Sequence, residues 1–350
     1  MKVFKKIITL VCFSFILCGI FACSSKNEVK NDTSTAVSNE AETTANKKQI
    51  KVVSTIFPIY DIVRNIAPND NYEMTLLLDS GIDIHNFSPT AKDIVKIAEA
   101  DLFIYVGGES DKWVDKVVAT AQNKNLKTIN LMNELGNLVK EEEVVERMQH
   151  EHEEGEVHEE GEKHEEHEHE EHENDEHIWL SLRNAKAMTN AIVKKLIEID
   201  SENQTEIQKK ANAFTEKLDA LDKKYIEASQ NKKYDTVVFG DRFPFRYLVD
   251  DYGLKYFAAF SGCSAEAEAS FETVVFLAKK LDELGLKHIC ALKGAEPKVA
   301  KTVINASNDK DRDIVLFNSM EGITNVNDAE NTNYLKIMEE NLEAFTNAIN

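Results

Sequence analysis

The chain has 350 residues, 42% of them hydrophobic, and a formal net charge of -21 at pH 7. So acidic a chain excludes nucleic acid as a partner, because binding phosphate groups requires a basic surface, and it favours association with cations. Once an apolar leader and a polar tether are set aside, about 300 residues remain, enough for two lobes at about 100–200 residues per domain.

The N-terminus has the features of a lipoprotein signal. Residues 1–22 join a cationic start to an apolar run too short for a membrane span, and Cys23 follows directly. We interpret 1–22 as a signal peptide and Cys23 as the lipidated residue; an ordinary secretory peptide cut near Ala22 is the alternative. Residues 23–49 lack a periodic apolar face, which predicts a flexible tether. The expected protein is therefore extracytoplasmic and anchored to the cell membrane.

The following segments alternate between strands and helices. Residues 50–140 contain short β-branched strands and amphipathic helices, one of which opens at Thr90 with an acidic residue three positions later. Residues 177–200 complete this N-terminal lobe, and residues 201–231 form a helix long enough to bridge two lobes at about 1.5 Å per residue. Residues 232–350 repeat the alternation. The predicted fold class is α/β, with two lobes that each hold a mainly parallel sheet flanked by helices, joined by a long connecting helix.

Eight of the ten histidines lie in one window, residues 148–180. We expect residues 141–176 to form a disordered loop, because a tract of histidine and glutamate with almost no apolar residues cannot fold alone. Spaced histidines offer loose nitrogen sites and glutamates concentrate divalent cations, so the tract is interpreted as an auxiliary metal-binding loop; a solvated spacer is the alternative. Its candidate ligands are His150, His152, His158, His164, His167, His169 and His172.

His85 lies on the loop that leaves a predicted parallel strand, where open α/β sheets place their ligands. Seven segments, spread over the chain outside the tether and the His/Glu tract, closely resemble the metal-binding solute-binding proteins of bacterial ABC importers, the zinc and manganese group. Among them are "VVSTIFPIYDIVRNIA", "GIDIHNFSPTAKDIVKIAEADLFIYVGG", "EHIWLSLRNAKAM" and "YLVDDYGL". The resemblance implies a monomer without catalytic activity that binds an ion and delivers it to a permease and its ATPase.

The resemblance also implies ligands for the ion. The family's first histidine ligand corresponds to His85, and the histidine that precedes its "xW" pair corresponds to His177, where the tract ends. The third ligand, a histidine or glutamate in the family, has no direct counterpart in "VVFGDRFPFRYLVDDYGL". Counting from either side places Arg242 or Gly240 in its slot, and neither binds a cation. Asp241 is the expected replacement, with pairing to Arg242 or capping of the next helix as the alternative.

The fourth position departs from the family as well. Asn318 stands where relatives carry an aspartate, and Glu321 is the expected ligand, with a solvated turn glutamate as the alternative. Cys263 is a further possible ligand, since a thiolate binds zinc well and this loop lies near the cleft in the family; a buried small residue is the alternative. His288 is interpreted as structural. Cys263 and Cys290 lack the spacing pattern that would predict a disulfide.

Two imidazoles with oxygen donors accept zinc, manganese or iron, and the usual affinity order favours zinc. The expected function is capture of Zn²⁺, as a transported ligand, for uptake through an ABC permease. A manganese- or iron-binding member of the same importer family is the first alternative. An anchored zinc metallohydrolase is the alternative from another class, although the sequence has no H-E-x-x-H motif. A metal-buffering protein for cell adhesion is a third.

Overall fold

The fold is built on two parallel β-sheets, one in each half of the chain. The computed structural model describes residues 49–79, 81–149, 173–263 and 268–350. The first sheet contains β1 (Ile50–Ser54), β2 (Tyr72–Leu76), β3 (Leu102–Tyr105) and β4 (Lys127–Asn130). The second contains β5 (Thr236–Phe243), β6 (Lys255–Ser261), β7 (His288–Leu292) and β8 (Asp313–Phe317). The strand orders are β2-β1-β3-β4 and β6-β5-β7-β8, and all neighbouring strands run parallel.

Helices flank both sheets and one long helix lies between the lobes. The first lobe has α1 (Phe57–Ile66), α2 (Ala91–Glu99), α3 (Val114–Ala119), α4 (Leu131–Leu135) and α5 (Leu182–Ile199). The connecting helix is α6 (Gln204–Gln230). The second lobe has α7 (Arg246–Asp251), α8 (Phe271–Glu283), α9 (Lys298–Ala306) and α10 (Tyr334–Ala348). The predicted fold class, with its two parallel sheets and connecting helix, is confirmed.

Local side-chain chemistry sets where several helices begin. Thr90 accepts a hydrogen bond from the backbone of Asp93, and the Asp93 carboxylate accepts one from the backbone of Thr90, which completes a capping box at α2. Ser181 and Ser270 cap α5 and α8 in the same way, each accepting from the backbone three residues later. Each cap fixes the residue at which a loop ends and a helix begins, and so helps to position the side chains on that loop.

Both ends of the expected loop 141–176 are ordered, so its predicted limits are wrong. The backbone of Gln149 makes two hydrogen bonds of 3.0 Å to the edge strand β6, and Met148 is buried. Residues 173–176 run back along residues 141–142 and are hydrogen-bonded to the chain there. The physical reason is that backbone groups in these two short limbs find partners in the folded body, even though their side chains are mostly charged.

Other sequence predictions concern residues outside the described ranges. The signal peptide, Cys23, most of the tether and the tract histidines from His150 to His172 are among them, and these stay predictions. Within the described ranges, no helix combines the length and the apolar character needed to cross a membrane.

A buried ion pair fastens the first lobe to the C-terminal segment. Asp61 on α1 is fully buried, and its carboxylate accepts hydrogen bonds from Arg64 Nε at 2.8 Å and from the backbone of Tyr334 at 2.7 Å. The Arg64 guanidinium also donates to the carbonyls of Val326 and Thr332, at 2.6 and 2.8 Å. Together with α6, which contacts α1, α5 and α10, this network joins the two lobes.

Replacing Asp61 with Ala is expected to lower the free energy of unfolding by about 3–5 kcal/mol, because the substitution leaves a largely buried guanidinium without its charge partner. Denaturant unfolding of the metal-free protein measures the effect. Glu99→Ala is the matched control, since it also removes a carboxylate that pairs with a cation, Lys51, at 2.9 Å, but 54% of the Glu99 side chain is exposed. Exposed pairs contribute little, so the control should change stability only slightly. Equal losses in the two variants would contradict the role assigned to Asp61.

Candidate metal site

Loops at the carboxyl ends of strands in both sheets converge on one cluster of titratable side chains. In open α/β sheets this edge is where ligands bind. The first lobe contributes His85, in a short 3-10 turn after β2, and His177, just before the turn that leads into α5. The second lobe contributes Cys263 after β6 and Glu321 after β8. Four of the residues singled out in the sequence are therefore brought together.

The two imidazoles face each other through their Nε2 atoms, which lie 3.3 Å apart. Two nitrogens bound tetrahedrally to one zinc at about 2.0–2.1 Å would be about 3.3–3.4 Å apart. Glu321 Oε1 lies 3.4 Å from His177 Nε2 and 3.7 Å from His85 Nε2. Three donor atoms thus already have the mutual separations of ligands around one ion.

Hydrogen bonds on the Nδ1 side fix both rings. His177 Nδ1 lies 2.9 Å from Asp175 Oδ1, and the same oxygen accepts from the His177 backbone at 2.8 Å. His85 Nδ1 lies 2.9 Å from the hydroxyl of Ser110, which in turn donates to Glu176. Metal-binding histidines commonly donate Nδ1–H to such partners, which leaves Nε2 free for the ion. Asp175 and Glu176 are not recognisable as site residues in the sequence, because they lie at the end of an acidic tract and look like its continuation.

Cys263 approaches the same pair of imidazoles. Its Sγ and one ring nitrogen each of His85 and His177 all lie within 4.8 Å of one another. Gly262 permits this approach, because a Cβ at position 262 would lie 2.9 Å from Cε1 of His177. Cys263 and Cys290 are both free thiols, which settles a pairing that the sequence left open. Burial, reinforced by nearby carboxylates, raises the pKa of Cys263, so the thiol keeps its proton until a cation displaces it.

The loop that carries Glu321 is held firmly, although its carboxylate is not. Trp179 Nε1 donates to the carbonyl of Ser319 at 2.8 Å, and the hydroxyl of Tyr334 donates to the carbonyl of Trp179 at 2.7 Å. Met320 has a φ of 64°, a left-handed conformation that non-glycine residues seldom adopt. Beyond its ion-pair contacts, neither oxygen of Glu321 has a hydrogen bond to any described residue. A buried carboxylate with free lone pairs on a constrained turn indicates a ligand position.

The charge states of the two imidazoles differ. Burial opposes a charge on His177, but Asp175 and Glu321 outweigh it and raise the pKa of His177 to about 10. Burial, together with the positive charge of His177, lowers the pKa of His85 to about 4. Burial alone would raise the pKa of Glu321, but His177 and Arg242 lower it. At neutral pH the cluster therefore holds a proton on His177 beside the Glu321 carboxylate, and an incoming cation must displace that proton.

Asp241 does not reach the cluster, which contradicts the prediction that it is a ligand. Its Oδ1 accepts from the backbone of Arg242 at 2.9 Å and its Oδ2 from the backbone of Leu292 at 3.1 Å. Both oxygens thus satisfy backbone donors where the register of β5 shifts beside β6. Arg242 extends into the cleft instead, and its guanidinium lies 2.7 Å from Asp83 and 3.9 Å from Glu321.

Two further donor sets overlap the trio of His85, His177 and Glu321. Among the described residues, their donor atoms also lie within 4.8 Å of one another: His85, His177 and Cys263, and Asp83, His85 and Glu321. The first group is rich in nitrogen and sulfur, which suits zinc, whereas the second is rich in oxygen, which suits manganese or magnesium. His288 belongs to neither group; it begins β7, opposite Asp313 of β8.

In the metal-free protein, His177 and His85 are expected to titrate on opposite sides of the ordinary histidine pKa of about 6.5. His177 should stay charged well above neutral pH, and His85 should stay neutral down to about pH 5. Ring-nitrogen NMR measures both, with His85→Gln and His177→Gln to assign the signals. Asp175→Asn should lower the pKa of His177, because it removes the negative charge beside Nδ1. Titration of both rings near 6.5 would contradict this description of the cluster.

Comparisons with known proteins agree with these features. The family model described as "ZnuA: Zinc-uptake complex component A periplasmic" matches residues 52–348. The zinc-binding lipoprotein AdcA of Streptococcus pneumoniae is 32% identical over 328 residues, which cover 94% of this chain and 58% of the relative. The high-affinity zinc uptake system protein ZnuA of Bacillus subtilis is 28% identical over 304 residues, which cover 86% of this chain and 88% of the relative. The chain thus spans a little over half the length of the pneumococcal relative.

A solved structure shows the same fold. The crystal structure of the Zn(II)-bound ZnuA-like domain of Streptococcus pneumoniae AdcA has a TM-score of 0.66 and 26% sequence identity. The similarity covers 86% of this chain and 99% of that domain. The family resemblance inferred from the sequence is confirmed, and the chain belongs to the ZnuA family of zinc-uptake component A proteins.

Proposed function

We propose that this protein captures Zn²⁺ outside the cytoplasmic membrane and delivers it to an ABC permease and its ATPase for uptake. The observation that carries the proposal is the convergence of His85, His177 and Glu321, with 3.3 Å between the two Nε2 atoms. Imidazole nitrogen and carboxylate oxygen are common zinc ligands. The names of the relatives, a zinc-binding lipoprotein and a zinc uptake system protein, support the same cargo.

The burial of the cluster favours binding over hydrolysis. A catalytic zinc keeps an open coordination position that a substrate can reach. The His177 side chain is fully buried, and only 8% of Glu321 and 12% of His85 are exposed. Because solvent hardly reaches these side chains, we assign the ion the role of cargo and propose no catalytic activity.

Release follows from the origin of the ligands in two lobes. His85 and His177 belong to the first lobe and Glu321 to the second, so a small relative movement separates the donors when the permease binds. His177 takes up a proton as the ion leaves, because its pKa in the empty site lies well above neutral pH. When the ion leaves, the buried Glu321 carboxylate loses a positively charged neighbour, and this proton on His177 partly replaces that charge.

The membrane attachment that we propose rests on the N-terminal sequence. Cys23 would carry the lipid, and the polar residues that follow would tether the folded body to the cell membrane. The relative in Streptococcus pneumoniae is also named a lipoprotein. A single copy of the chain supplies every ligand in the cluster, and we propose that it acts as a monomer.

We propose that the histidines of residues 150–172 bind further ions weakly and supply them to the cluster. The support comes from the two ordered limbs of the tract. Gln149 is hydrogen-bonded to the end of β6, directly before the Gly262–Cys263 turn, and residues 173–176 lead straight into His177. Ions collected by the tract would therefore be concentrated beside the buried site.

Variants of the proposed ligands test the function. His85→Ala, His177→Ala and Glu321→Gln should each lower zinc affinity by more than about 100-fold, which exceeds the about 10–100-fold loss typical of groups that only support a ligand. Competition with a chelator of known affinity measures the change. Asp241→Asn is the matched control and should have little effect, because its carboxylate bonds backbone donors outside the cluster. Unchanged zinc affinity in both histidine variants would refute the proposed site.

Deleting residues 150–172 distinguishes zinc binding by the tract from zinc binding by the cluster in the same titration. The shortened protein should retain a single tightly bound zinc and lose the weakly bound ions. Loss of the tight ion would show that a tract histidine is one of its ligands.

A further inference from the structure

We propose that Cys263 completes the zinc site while Arg242 withholds Asp83 from it, so that the cleft offers a donor set that selects zinc over manganese. The inference rests on the proposed function and concerns the same cleft. It identifies the two residues that decide which of the overlapping donor sets an ion meets.

Zinc bound by His85, His177 and Glu321 would lack a fourth ligand. Structural zinc sites are almost always four-coordinate, and His85, His177 and Glu321 leave one position open. Cys263 Sγ already lies within 4.8 Å of ring nitrogens of both histidines. Since Gly262 has no Cβ, the turn that carries Cys263 packs directly against the His177 ring. A larger residue at position 262 would push the thiol away from the ion.

The acidic surroundings of Cys263 also favour binding of a cation. The carboxylates of Glu142, Asp175 and Glu321 all act electrostatically on the Cys263 sulfur. A thiol among acidic groups is not placed for reaction as a free nucleophile, because those charges oppose the thiolate. A divalent cation reverses this balance, since a thiol that coordinates such an ion is deprotonated.

A second set of donors in the cleft competes for the ion. Asp83, His85 and Glu321 form the oxygen-rich set, and this set would suit manganese. Both oxygens of Asp83 are engaged, however. Oδ1 accepts from the backbone of His85 at 3.1 Å, and Oδ2 pairs with Arg242 Nη1 at 2.7 Å. A guanidinium keeps its charge at any physiological pH, so it repels an ion that approaches Asp83.

Formal charges support the division between the two sets. Zn²⁺ with a Cys263 thiolate and a Glu321 carboxylate is neutral, and Asp83 with Arg242 is neutral beside it. Without Arg242, the buried cleft would gain one net negative charge and one free carboxylate. Both changes favour a hard cation with oxygen ligands, whereas a sulfur ligand favours zinc.

X-ray absorption at the zinc edge tests the sulfur ligand without any substitution. The zinc-loaded protein should show a sulfur scatterer at about 2.3 Å, beyond the nitrogen and oxygen shell at about 2.0–2.1 Å. The sulfur signal should persist in Cys290→Ala, the matched control at the other free thiol, and disappear in Cys263→Ser. Competition titrations should show zinc affinity lowered at least about 10-fold in Cys263→Ser with manganese affinity nearly unchanged.

The role of Arg242 is tested by manganese titration. Arg242→Gln should raise manganese affinity by at least about 10-fold, which corresponds to about 1.4 kcal/mol, and Asp83→Asn in the same chain should reverse the gain. Arg183→Gln is the control, since Arg183 also pairs with an aspartate, Asp251, but is half exposed and makes no contact with the cluster in the described structure. Unchanged manganese affinity in Arg242→Gln would overturn the role of Arg242.

The results separate this inference from the proposed function. Tight zinc binding that is lost in His85→Ala, with only nitrogen and oxygen around the zinc and no effect of Cys263→Ser, would overturn the inference and leave zinc capture standing. Failure of the unaltered protein to bind zinc tightly would refute the proposed function as well.

Discussion

The 3.3 Å contact between the Nε2 atoms of His85 and His177 is the constraint on which the remaining structure depends. Two imidazoles this close repel each other if both are positively charged. The cluster therefore holds its positive charge on His177 and leaves His85 neutral. Asp175 stabilises the charged ring, and Glu321 supplies the opposing charge. The empty site is therefore already arranged around one positive charge, which an ion can replace with little rearrangement.

The fold supplies this arrangement through loops at one edge of each parallel sheet. The cluster draws donors from loops after β2, β6 and β8, while the lobes are held together elsewhere by Asp61, Arg64 and the segment before α10. Trp179 links the turn after His177 to the loop that carries Glu321. Ligands that lie on loops rather than within the sheets can move slightly at the site without loss of the fold.

Periodicity and caps were sufficient to predict the alternating elements, because apolar spacing and residues such as Thr90 act locally. The position of His85 in the ligand cluster could also be predicted, since it lies on a loop at the carboxyl end of a parallel strand, where open α/β sheets bind ligands. The prediction that Asp241 is a ligand was wrong because β5 changes register near that residue. In an irregular strand, the direction of a side chain cannot be obtained by counting residues. Asp175 was missed because its role depends on a hydrogen bond to His177, and an acidic tract hides such a partner.

Zinc binding at this cluster is tested most directly by anomalous diffraction from crystals of the zinc-loaded protein, recorded on both sides of the zinc absorption edge. We expect one strong peak in the cleft, within about 2.0–2.2 Å of Nε2 of both His85 and His177 and of a Glu321 oxygen. A cleft without an anomalous peak, or a strongest peak away from these three side chains, would contradict it.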